Sequence, residues 1–336
     1  MKDTQYVSMW VKRFMLEYLV STRNLSKNTQ LSYRDTFKLM LPFMAKKSKV
    51  NIDKLLVDNI SVSAIKAFLT ELETNRDCSL STRNQRLAAI HAFAKFIGLN
   101  NPEYVEWYRQ VQLIPFKKTN RTSITYLEKT EMDALLNAPD KQTDQGKRDH
   151  AILLFLYNTG ARSDEAAQLR IEDINIPHVP KRDLSTVLIR GKGNKLRRCP
   201  LWLQTLDELG GLITGRNPSE HVFLNRRKQP ITRFGIHTMV VRYAKQITQQ
   251  LPSIGKKRVS PHTIRHTTAT HLLRAGVDIN TIRAWLGHVS INTTNIYAEV
   301  DLEMKAKALA CCEITEGAKP IHWRDNKDLM SFLNSI

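Results

Sequence analysis

Helical spacing of apolar residues fails between Asn101 and Ser123, where Pro102 and Pro115 interrupt it and Lys117, Lys118 and Arg121 concentrate positive charge. A break of that kind in a chain of 336 residues predicts two folding units, because the length exceeds what one hydrophobic core commonly serves. The expected layout is a helical unit at 5–100, a basic linker at 101–123, a second unit at 124–312 and a tail at 313–336. Hydrophobic residues at 42% and charged residues at 25% supply both cores and exclude a largely disordered chain.

In the first unit Val7, Trp10, Val11, Phe14, Tyr18 and Leu19 recur at helical spacing. Ser26 has the chemistry of an N-cap for a second helix carrying Tyr33, Phe37, Leu41 and Phe43, with Pro42 as a kink point near its end. Residues 60–72 read as a third helix and 82–97 as a fourth, the latter with Leu87, Ile90, Phe93, Ala94 and Ile97 on one face and Arg83 and Arg86 among its polar positions.

Beyond the break, Thr130 is a candidate N-cap for 131–137, and 148–158 is a strongly apolar helix ending at Thr159-Gly160. The period then changes. Residues 185–190 and 197–201 alternate like strands and flank Gly191-Lys192-Gly193-Asn194, a turn that predicts a β-hairpin. Stretches at 202–209, 233–250, 263–275, 279–286 and 303–311 return to helical spacing. The expected fold class is therefore an α-rich two-domain protein, with four helices first and then a mainly α domain holding a small antiparallel sheet.

The 51 Lys and Arg against 32 Asp and Glu leave a formal charge of +19, spread along the whole length. Distributed cations on a folded surface suit a polyanion, and nucleic acid above others, because phosphate neutralisation releases counterions. Arg83, Arg86, Lys117, Lys118 and Arg121 are the candidate DNA-binding cations. The four cysteines show no CxxC or zinc-ligand spacing, and neither a signal core nor a membrane-length apolar run occurs, so a soluble cytoplasmic protein is expected. His266 and His271 follow His262 by four and nine residues, but no carboxylate or cysteine completes a zinc shell nearby, and no metal or cofactor is expected.

Four segments in fixed order carry the chemistry. They are Thr159-Gly160-Ala161-Arg162-Ser163-Asp164-Glu165, Gly191-Lys192-Gly193, His262-Thr263-Ile264-Arg265-His266, and Leu286-Gly287-His288 with Tyr297 nine residues on. Each residue alone has an ordinary reading as a cap, a hairpin tip or a packing group. In this order the chain resembles the tyrosine recombinase (phage integrase, Xer-like) family, whose pattern is TGxRxxE, GKG, HxxR and LGH followed by a tyrosine. The resemblance covers roughly 5–312, including Leu25-Ser26, Thr29, Tyr33 and Ser79, Thr82, Arg83, Asn84 of a helical core-binding module. Ile264 stands where leucine is commoner, and Glu299 where the family often has histidine.

The resemblance implies a site-specific recombinase in which Tyr297 attacks the scissile phosphate to give a 3′-phosphotyrosyl link, without metal or ATP. It implies that Arg162 and Arg265 bind the non-bridging oxygens, that His288 adds a hydrogen bond, that Lys192 protonates the leaving 5′-oxygen and that His262 assists proton transfer. Glu165, three residues after Arg162, is expected to orient its neighbours. Metal-free phosphodiester cleavage independently needs a nucleophile, cations and an acid. Implied partners are double-stranded DNA with specific core sites and a homo-tetramer on two duplexes, with a partner recombinase left open. Leu329, Phe332, Leu333 and Ile336 repeat helically, and part of that tail is expected to dock on a neighbouring protomer or on its own domain. Two alternatives stand beside this reading, a catalytically silent DNA-binding protein of the same fold and a type IB topoisomerase-like relaxing enzyme. The role stays open among phage integration, dimer resolution and transposon movement.

Overall fold

The computed structural model describes residues 6–119, 124–176, 184–191 and 193–287. The chain forms two compact units, Met1–Thr122 and Ser123–Ile336. Arg121, Lys192, His288, Tyr297, the expected 303–311 helix and the tail lie outside the described residues.

In the first unit α1 (Val7–Arg13) runs on into wider, π-type turns over Phe14–Thr22. That widening brings Phe14 and Leu19, five residues apart, to the same buried side, where a 3.6-residue period would separate them. Next come α2 (Lys27–Ser48), α3 (Val62–Thr74), α4 (Leu80–Asn100) and α5 (Val105–Gln112). Ser26 caps α2 as its sequence predicts, its hydroxyl accepting from the Thr29 amide, and the helix continues through Pro42. Aromatic rings form the centre: Phe14 lies 5.3 Å from Phe93, and Phe37 lies 4.9 Å from Phe93. Such pairs add roughly 0.5–1.5 kcal/mol each beyond the area they bury.

The expected linker needs correction at its start. Residues 102–112 are helical, and Val111 and Ile114 belong to the first unit's core. The Trp107 indole donates to the Ile60 carbonyl at 2.7 Å and ties α5 down. The two prolines bracket this helix without breaking it: Pro102 stands at its entry, where a missing amide costs nothing, and Pro115 lies past its end.

The second unit contains α6 (Lys129–Asn137), α7 (Asp144–Thr159), α8 (Ser163–Ala167), strands β1 (Ile174–Asn175), β2 (Thr186–Arg190) and β3 (Leu196–Pro200), then α9 (Leu203–Ile213), α10 (Arg233–Ile247), α11 (Pro252–Gly255), α12 (Pro261–Arg274) and α13 (Ile279–Leu286). The strands form an antiparallel sheet in the order β1-β2-β3, with Val187 opposite Cys199 and Ile189 opposite Arg197. The short β1 had no strand-length pattern of its own to announce it. α6 starts one residue before the predicted cap: Glu131 reaches back to the Glu128 amide, so Glu128 takes the cap position instead of Thr130. Helix α7 is buried from Asp149 to Thr159 and serves as the central rod, touching α9, α10 and α12. Among the described residues no helix is long and apolar enough to cross a membrane.

Candidate active site

Helix α7 ends at Gly160, whose φ of +60° is left-handed and whose missing side chain admits α13: a Cβ there would lie 2.5 Å from Leu286 Cδ2. The chain therefore turns sharply after Thr159 and delivers Arg162 as the N-cap residue of α8. Glu165, in the third position of α8, folds back on it. Its Oε2 accepts from the Arg162 amide at 2.9 Å, and its Oε1 accepts from Arg162 Nη1 at 2.7 Å. A third contact comes from the sheet, where Arg197 Nη2 donates to Glu165 Oε2 at 2.6 Å. Burial opposes ionisation of Glu165, but the hydrogen bond and charge of Arg197, with the Arg162 amide and guanidinium, hold its carboxyl below the usual range.

Helix α12 supplies the second arginine. Ser260 caps it, Pro261 occupies its first position, and Arg265 follows one turn in, 3% exposed. Arg265 Nη1 donates to the Gly160 carbonyl at 2.5 Å and Nη2 to the Leu286 carbonyl at 2.6 Å. One guanidinium thus fastens the Gly160 turn to the end of α13, and two of its five N–H groups are engaged in doing so. His262, one turn earlier on α12, reaches the surface. Its partial burial, the positive charges of Arg265 and Arg162 and that of His237 lower its pKa against the pull of Glu165. His266 is held lower still, at about 4, by burial and by His262 and Arg265.

The remaining predicted segments arrive at the same place. A Cβ on Gly191 would lie 3.3 Å from Glu165 Oε1 and 3.5 Å from Arg197 Nη1. Gly287 has a left-handed φ of +65°, and a Cβ there would lie 3.2 Å from Arg197 Cδ. The structure therefore gathers Arg162, Glu165, His262, Arg265, Gly191 and Gly287, the last two being the residues before Lys192 and His288 in sequence. It also shows Arg197, which the sequence reading missed. Its only signal is an inward position in β3 opposite buried Ile189.

Histidine 271 has other work. Its Nδ1 lies 2.7 Å from the Tyr157 hydroxyl, and the nearby Thr268 hydroxyl donates to the Tyr157 carbonyl at 2.8 Å. These contacts pack α12 on α7. The candidate DNA-binding residues of the first unit divide. Arg83 is buried and used internally: its Nη1 donates to the Pro115 carbonyl at 3.1 Å, and its Nε lies 3.5 Å from Glu73 Oε1. Arg86 is half-buried, while Lys117 and Lys118 are exposed and Lys117 Nζ pairs with Glu73 at 2.7 Å.

A helical unit with one small sheet, whose arginines gather around a single carboxylate, has the make-up of an enzyme that handles an anionic substrate. Residues 125–304 match the Phage integrase family, and residues 11–98 match the Phage integrase N-terminal SAM-like domain. A putative integrase/recombinase, y4rC, of Sinorhizobium fredii is 35% identical over 97% of this chain and 97% of its own. Tyrosine recombinase XerC of Oceanobacillus iheyensis is 30% identical over 88% of this chain and 92% of its own. Among solved structures, the Tn1549 transposon integrase in complex with transposon right end DNA superposes with a TM-score of 0.66 at 18% identity, covering 91% of this chain and 99% of that one. The XerH site-specific recombinase bound to palindromic difH substrate gives 0.63 at 23% identity, covering 82% and 78%. The chain belongs to the phage integrase family and is a tyrosine recombinase, an enzyme of DNA strand breakage and rejoining.

Proposed function

We propose that this recombinase cleaves and rejoins double-stranded DNA at specific core sites, with Tyr297 as nucleophile. The observation that carries the reading is the convergence of Arg162, Glu165 and Arg265 with the glycines that precede Lys192 and His288. In the step proposed, the Tyr297 oxygen forms a bond to phosphorus as the bond to the 5′-oxygen breaks. Arg162 and Arg265 stabilise the charge that builds on the non-bridging oxygens, joined by His288. Lys192 gives its proton to the departing 5′-oxygen. His262, whose lowered pKa keeps it neutral at neutral pH, takes the proton of the tyrosine. Attack by a second strand's 5′-hydroxyl reverses the sequence. One phosphoester replaces another throughout, so the exchange requires no ATP.

Exchange between two sites needs two duplexes and four active protomers, and a homo-tetramer is the assembly proposed. Relatives named as integrase, recombinase and transposon integrase favour service to a mobile element, by integration, excision or resolution. Exposed Lys117 and Lys118 are the proposed phosphate contacts of the first unit. A duplex nicked so that cleavage traps the intermediate tests the chemistry. A covalent protein–DNA adduct that forms in the presence of chelator, with strand exchange between two specific sites, is expected. No adduct would leave a silent DNA-binding protein, and relaxation without site-specific exchange would leave a topoisomerase-like enzyme.

A further inference from the structure

Arg197 is a charged side chain at this centre, among the described residues, that the family pattern above does not include. It is buried, with its side chain 7% exposed, and it ends at Glu165, whose own side chain is 4% exposed. A buried ion pair is a poor device for stability alone, because desolvation offsets most of the attraction. This one is also imperfect, for Arg197 Nε is buried without a hydrogen-bond partner. An unpartnered buried donor costs roughly 1–3 kcal/mol.

The surroundings of the guanidinium give the pair another purpose. Gly191 lies against Nη1, and Gly287 lies along Cδ, Nε and Nη1. An added Cβ would stand 3.3 Å from Glu165 Oε1 at Gly191 and 3.2 Å from Arg197 Cδ at Gly287, tight enough that the ion pair would have to give by a few tenths of an ångström. The Gly191 amide donates to the Lys195 carbonyl at 2.7 Å, which closes the base of the hairpin beside the guanidinium. Glu165 in turn is fixed by Arg162. Contacts therefore run from Arg162 through Glu165 and Arg197 to the base of the hairpin at Gly191.

We infer that Arg197 is a positioning residue: clamped by Glu165, it holds the base of the Gly191 hairpin, on which leaving-group protonation by the adjacent Lys192 depends, and it does not itself touch DNA. The inference rests on the proposed role of Lys192 as the acid. It predicts a defect confined to leaving-group protonation, which sulfur chemistry can isolate. A scissile phosphate with sulfur in place of the bridging 5′-oxygen expels a thiolate, which needs no proton from the enzyme.

Single-turnover cleavage by the full-length protein is measured on the nicked duplex with oxygen and with sulfur at that position. Lys192→Ala calibrates the assay: it should be about 10²–10⁴-fold slow on oxygen and recover on sulfur, the range expected for loss of a general acid. Arg197→Lys and Arg197→Ala should be slowed at least about 10²-fold on oxygen and return to within about tenfold of the unmodified protein on sulfur, with duplex affinity retained. Glu165→Gln, which weakens the clamp from its other end but also loosens Arg162, should be slowed on both substrates and more on oxygen, and its oxygen-specific defect should not add to that of Arg197→Lys. The lysine and glutamine variants keep the test intact where the alanine variant fails to fold. Equal slowing on both substrates, or unimpaired cleavage of the oxygen substrate, overturns the inference while leaving the acid in place. No sulfur recovery for Lys192→Ala brings down the acid assignment, and the inference with it.

Discussion

Arg265 has two tasks on one guanidinium. Its sequence context marks it as a phosphate ligand, and the structure adds that it bonds the carbonyls of Gly160 and Leu286, residues far apart in sequence. Arg265→Lys keeps the charge but cannot span both carbonyls, so it should lower the melting temperature as well as cleavage. Cleavage should fall by about 10²–10³-fold, the usual loss when one preorganised donor is removed, with a much smaller loss of DNA affinity. Normal thermal stability in that variant would show that the staple contributes nothing. His266 gives a pH prediction. Its folded-state pKa, about 4, lies below its ordinary value of 6.5, so the folded protein resists a proton that the unfolded chain accepts. Stability is therefore unaffected above pH 6.5 and declines as pH falls from 6.5 toward 4. Melting curves should show that decline, and a His266→Gln variant should show a shallower one. Arg162, His262 and Arg265 were legible in the sequence because their neighbours repeat a known order. Arg197 was not, since it is one of 51 basic residues and acquires meaning only when β3, α8 and the end of α13 meet.

Among the elements, the left-handed ends of α7 and α13 do most to assemble the centre. Gly160 lets α7 stop and α13 approach, and Gly287 lets α13 stop against Arg197. Gly160→Ala forces a Cβ into a left-handed backbone, at a cost of roughly 1–2 kcal/mol before any clash with Leu286 is counted. The variant should melt lower and cleave more slowly. Unchanged melting would mean that α13 is not seated on this turn. Most helices could be read from apolar periodicity and from serine caps such as Ser26, because both are local. What escaped had non-local causes. α5 is fixed by the Trp107 bond to Ile60 and by burial of Val111, which a charged, proline-flanked stretch conceals. The two-residue β1 exists only because β2 lies beside it.

On the scale of the molecule, two separately cored units and a strong positive charge fit an enzyme whose substrate is a long polyanion. The fold class and the family were both readable from order and spacing, because the four reactive segments are short, contiguous and stand in the family's order in this chain. The clamp within the centre was not, because it is made of contacts between segments. One measurement bears most directly on the central claim that this centre cleaves DNA through Tyr297. Tyr297→Phe is compared with the unmodified protein for binding and for covalent capture of a nicked core-site duplex. Binding should be retained with the same steep salt dependence, which for six to ten phosphate contacts is about 10³–10⁵-fold between 50 and 200 mM salt, and no covalent adduct should form. An adduct formed by Tyr297→Phe would place the nucleophile elsewhere and contradict the account.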